Sequence, residues 1–101
     1  MTNANNQAGS EQQIQVKVSD EVLRGAYANM AQIAHTGEEF IFDFVNITPP
    51  SGSLVARVIV SPAHAKRLIV ALQDNVTRFE KQFGVISSAS VPVQKIGFKT
   101  E

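Results

Sequence analysis

The sequence contains no cysteine, which excludes disulfides, thiolate metal sites and cysteine nucleophiles. Stability therefore has to come from packing. There is no excess of either charge: nine Lys and Arg balance nine Asp and Glu, so a protein-wide attraction to nucleic acid or anionic membrane is missing. Zero net charge still leaves room for a local basic patch. With a pI near 6.7, copies repel one another little near physiological pH, which is compatible with self-association. No apolar run approaches the roughly 18 residues of a membrane span, and residues 1–13 hold neither a basic nor an apolar region. A cytoplasmic location with no membrane partner is expected.

Reactive constellations are equally scarce. The two histidines, His35 and His64, occur in no HxxxH, HxH or HExxH spacing, whereas a metal needs three or four converging ligands. No GxSxG elbow surrounds the serines, and the glycines form neither GxGxxG nor GxxxxGK[ST], the arrangements that expose a nucleophile or cradle a phosphate. Glu38 and Glu39 fall at an expected hairpin tip and Asp43 within a strand, with no predicted cleft to make acid–base partners of them. The expectation is a protein that is not an enzyme, with no catalytic residue, no metal and no cofactor.

At 101 residues there is room for one domain. Residues 1–13, rich in Asn, Gln, Gly and Ser, bury too little apolar surface to offset the entropy of ordering and read as a disordered tail. Strict alternation begins at Ile14, Val16 and Val18, the period of a strand with one buried face. Gly25–His35 is alanine-rich, but its continuation through Thr36-Gly37-Glu38 into an aromatic and β-branched arm over 39–47 predicts the second strand of a sheet and a hairpin near Gly37. Thr48-Pro-Pro-Ser-Gly-Ser53 reads as a loop, and Leu54–Val60 as the last strand, with Arg57 available to pair with Asp43 if the two share a face.

In the 39–47 arm Phe40, Phe42 and Phe44 occupy one face, and Ile41, Asp43, Val45 and Ile47 the other. Both faces are mostly apolar, as they are in 54–60. A sheet covered by one helix and otherwise open to water should alternate with polar residues, so a second cover from another copy of the chain is inferred.

Ser61-Pro62 combines an N-cap acceptor with a proline suited to the first helical position. The stripe Ile69, Leu72, Val76, Phe79 and Phe83 steps by three and four, and Gly84 supplies the stop, predicting a long helix over 61–84. Packing of that helix on the sheet is favoured over a coiled coil, which needs more heptads. Residues 85–101 read as a mostly flexible tail, with Val91–Phe98 able to add an edge strand. The fold class is thus α+β: an antiparallel four-stranded sheet followed by one long C-terminal helix (β-β-β-β-α), a single domain over 14–84 between two tails.

Tyr27-Ala-Asn, the arm Glu38-Glu-Phe-Ile-Phe-Asp-Phe, the segment Arg57-Val-Ile-Val-Ser-Pro-Ala-His-Ala-Lys-Arg-Leu and Ala71-Leu-Gln-Asp-Asn-Val together resemble DUF3467, a family of short prokaryotic proteins of unknown function. The resemblance spans residues 14 to about 86 and implies no activity, ligand or site residue. A looser similarity, in element order alone, is to SecB-like export chaperones, which place a four-stranded antiparallel sheet before a long helix and assemble as dimers of dimers. The chain lacks their second helix, and the likeness bears on assembly rather than client binding.

His64, Lys66 and Arg67 crowd a helix N-terminus that is already electropositive, an unfavourable placement that a docked anion or acidic partner would relieve; an ordinary solvated face is the simpler reading. Asp74 and Arg78, four apart, read as a surface ion pair. The leading functional reading is a non-enzymatic protein-binding or structural module, a homodimer or larger oligomer (dimer or tetramer) with a further protein partner in view. It works through Phe40, Phe42, Phe44 and the stripe Ile69, Leu72, Val76, Phe79, Phe83. The alternatives are a nucleic-acid-binding regulator using Lys66, Arg67 and their symmetry mates, disfavoured by the zero net charge, and a client-binding chaperone.

Overall fold

The computed structural model describes residues 12–87 and 96–101. Element order is a short helix α1 (Asp20–Arg24), strands β1 (Met30–His35), β2 (Phe40–Thr48) and β3 (Ser51–Val60), and a long helix α2 (Pro62–Phe83). The three strands form one antiparallel sheet in the order β1-β2-β3. The architecture is α+β with an antiparallel sheet and a C-terminal helix, but the sheet has three strands rather than the expected four.

The missing strand is Ile14–Val18, which forms no helix or strand and is exposed throughout. Alternation marks a segment suited to pairing, yet a strand exists only where a second strand answers its backbone groups, and among the described residues none does. Ser19-Asp20-Glu21, directly after this segment, starts a helix. Ser19 accepts a hydrogen bond from the Val22 N–H at 3.2 Å, Asp20 and Glu21 lie in the first turn and Arg24 in the last, each charge complementing the helix dipole. Gly25, at φ 82, ends α1 in a conformation that side chains other than glycine's resist. Consequently the second predicted strand begins at Met30, five residues later than Gly25.

The hairpin near Gly37 forms as expected. Thr36 organises it: its N–H donates to the Glu39 carbonyl at 2.9 Å, and its hydroxyl accepts from the N–H groups of Glu38 and Glu39 at 3.1 and 3.2 Å. The second hairpin is tighter than its composition suggests. Thr48 pairs directly with Ser51, so Pro49 and Pro50, joined by a cis peptide bond, are the whole turn, and β3 starts at Ser51 instead of Leu54. A proline pair needs no ladder partner only at a turn, and there it lets both strands run further.

Opposed residues in an antiparallel pair share a face. One face therefore carries Ala31, Ile33 and His35, then Phe44, Phe42 and Phe40, then Ala56, Val58 and Val60. The other carries Met30, Gln32 and Ala34, then Val45, Asp43 and Ile41, then Leu54, Arg57 and Ile59. The change of register between Phe44 and Val45 against β3 is a bulge, which locally re-aims the bulged strand's side chains.

α2 follows its sequence closely. The Ser61 hydroxyl accepts from the His64 N–H at 3.1 Å, Pro62 occupies the first turn, and Gly84 closes the helix at φ 100. Its 22 residues span about 33 Å. The expected packing of its stripe on the sheet is not observed. Ala65 is the only buried residue of the helix, and Ile69 and Phe83 are 66% and 67% exposed. Among the described residues the buried set is Val45, Ala65 and the charged Asp43, which is no hydrophobic core for a chain that is 44% hydrophobic.

The expected tail over 1–13 lies outside the described residues except for 12 and 13. Of the proposed extra strand over Val91–Phe98, residues 91–95 lie outside them and 96–98 form no strand.

Candidate interaction surface

The best-defined polar feature is a row across the middle of the sheet, Gln32 opposite Asp43 opposite Arg57. Arg57 grips Asp43 with both arms of its guanidinium, Nε to Oδ1 at 2.6 Å and Nη2 to Oδ2 at 2.9 Å. Asp43 is only 7% exposed, and a carboxylate removed from water needs such a two-pronged partner. Hydrogen bonding from Arg57 holds the Asp43 carboxyl below its ordinary value; burial opposes this and the opposite charge reinforces it. The same bond raises the Arg57 guanidinium. The pairing anticipated in the sequence is therefore present, between directly opposed residues of β2 and β3.

A second polar device was not anticipated. The Asn29 side chain donates from Nδ2 to the Ile47 carbonyl at 2.9 Å and accepts the Ile47 N–H on Oδ1 at 2.8 Å, while the Asn29 backbone N–H donates to the Val45 carbonyl at 3.1 Å. The amide stands in for one peptide group of a strand, extending the ladder past Met30 and fixing where the chain enters β1. The available signal was Asn29 itself, a polar side chain inside the alanine-rich segment Gly25–His35.

The apolar candidates divide into two surfaces. Phe40, Phe42 and Phe44 form a half-buried aromatic column flanked by exposed Ile33 and Val58; at its end the His35 and Phe40 rings lie 5.4 Å apart. On α2, Ile69, Leu72, Phe79 and Phe83 are exposed and Val76 is half-buried. Phe79 and Phe83 associate with each other, ring centroids 5.0 Å apart, in place of any partner on the sheet. Along the other sheet face an open cavity of about 850 Å³ lies between Val45, Leu54 and Arg57 and the C-terminal residues 96–100.

The basic candidates are solvated. His64, Lys66 and Arg67 are exposed, the first turn of α2 holds no acid, and Lys66 and Arg67 share a shallow open groove with Val70, Ala71 and Asp74. Asp74 also pairs with Arg78, as the spacing predicts. Among the described residues no three His, Cys, Asp or Glu side chains gather where they would hold a metal ion. No helix among them is long and apolar enough to cross a membrane.

Fold and surface define a small α+β module with polar clasps between its strands and apolar faces that lack a cover among the described residues. The model of a family described as a protein of unknown function, DUF3467, matches residues 1–88, and the chain belongs to that family. No curated protein and no solved structure matches it.

Proposed function

We propose that this protein is a non-enzymatic module that works as a homodimer or larger oligomer and presents composite surfaces to a protein partner. One observation carries the reading. Among the described residues, the burial of large hydrophobics that normally supplies most of the stability of a folded domain is almost missing, while Ile33, Val58, Ile69, Leu72, Phe79 and Phe83 face water. Ordering each residue costs about 1–2 kcal/mol in backbone entropy alone, and an uncovered sheet and stripe recover little of it. A second copy placed over the aromatic column or the α2 stripe supplies the missing cover, and the zero net charge sets no long-range repulsion against it.

The test is solution mass by light scattering across a concentration series. A dimer or tetramer persisting to low micromolar concentration supports the reading. A strict monomer with a cooperative unfolding transition refutes it, since such a chain would be stable with its apolar surfaces uncovered.

A further inference from the structure

Resting on the oligomer reading above, we infer that residues 14–18 are a strand supplied in trans: they pair with the open edge of β1 in a second copy, which returns its own 14–18 segment to the first. Ile14, Val16 and Val18 are 76%, 81% and 56% exposed, so the segment does not lie on its own sheet, although its alternation is that of a half-buried strand. Its path away from that sheet is built into the fold. Asn29 clasps Ile47, which fixes the entry to β1, and α1 with its Gly25 turn stands between that clasp and the segment.

The receiving edge follows from topology. β1 and β3 are the two edges, and residues 96–100 already flank the cavity along Ser51–Leu54 of β3. Among the described residues no such segment accompanies β1, whose six residues are long enough to take the five of 14–18. Side-chain parity also fits. With Ile14, Val16 and Val18 on the face of Ile33 and Phe42, they widen the aromatic surface, and Gln15 and Lys17 fall on the face that holds the Gln32–Asp43–Arg57 row. The reverse parity would place one of the apolar side chains beside Gln32 and put Gln15 and Lys17 on the aromatic face. In a two-fold dimer each copy gives and receives one strand, so both β1 edges close together.

The absence of native cysteine makes the test clean. Directly opposed residues of an antiparallel pair sit about 4.5–5.5 Å apart at Cα, within reach of a disulfide. Full-length chains carrying Val16→Cys with Ile33→Cys, and Val16→Cys with Ala31→Cys to cover a two-residue change of register, are oxidised and separated without reductant. A covalent dimer from either double variant, exceeding that from the single-cysteine chains, is the expected result. An intrachain disulfide in a covalent monomer, or no disulfide above the single-cysteine level from either pair, overturns the exchange. In parallel, Val16→Pro, which removes a ladder donor where the monomer makes no contact, should raise the dissociation concentration at least tenfold with the helical circular dichroism unchanged. A wild-type chain that is monomeric throughout defeats the oligomer reading itself. A wild-type oligomer whose mass Val16→Pro leaves unaltered defeats the strand exchange alone.

Discussion

Two residues fix the sheet where its hydrophobic residues do not. Asn29 answers both backbone groups of Ile47, and each such hydrogen bond contributes about 0.5–1.5 kcal/mol. Asn29→Asp keeps the acceptor but turns a carboxylate oxygen toward the Ile47 carbonyl, so it should lower the denaturant midpoint by the equivalent of about 1–2 kcal/mol, with Asn29→Ala losing a similar amount and Asn29→Gln recovering little. Asp43 makes a separate, pH-dependent contribution. Because its carboxyl is lowered in the folded chain, the stability it adds is fully present above the ordinary carboxylate value and is lost as the pH falls through the lowered one. Midpoints of unfolding across an acid series should therefore fall in that window for the wild type and fall less steeply for Asp43→Asn. Arg57→Lys, with a single point charge in place of a planar fork, should lose part of the stability at neutral pH while keeping the acid slope.

At the scale of elements, the most legible parts were those whose ends are signalled by local chemistry. α2 begins at a Ser-Pro pair and ends before glycine, and it does so in the structure because capping is settled within a few residues. Removing the cap with Ser61→Ala should cost about 1 kcal/mol, seen as a lower thermal midpoint and fraying of the first turn in amide exchange. The Gly37 hairpin was equally readable. α1 had the same kind of signal in Ser19-Asp20-Glu21, but a strand pattern on either side hid it. The strand ends misjudged at Gly25 and Leu54 depended on events sequence periodicity does not report: where a clasp such as Asn29 forms, and how tightly Pro49-Pro50 turns. The fourth strand was misplaced within the chain because alternation specifies a face and says nothing about which backbone will answer it. Of the candidate surface, the residue types were legible and the exposure was not. The 3-4 stripe of α2 reads the same whether it meets the chain's own sheet or another copy.

For the whole molecule, the proposed assembly would make stability and association one quantity, since a chain whose described residues form little core would gain its burial from a second copy. The thermal midpoint should therefore rise with protein concentration, which a self-sufficient monomer would not show. Ile69→Glu and Leu72→Glu distinguish this arrangement from ordinary core damage. In the isolated chain both side chains are mostly exposed, so a charge there disturbs little internal packing and should leave a monomer's stability within about 0.5 kcal/mol. At an interface between copies the same charge loses its hydration without a partner, and the dissociation concentration should rise at least a hundredfold, read as a shift in scattering mass from oligomer to monomer. Added salt should leave the wild-type mass unchanged, because the proposed contact rests on apolar burial rather than ion pairing. If the two glutamate variants retained the wild-type mass, the α2 stripe would lie outside the interface, and the aromatic column of Phe40, Phe42 and Phe44 would have to provide the cover alone.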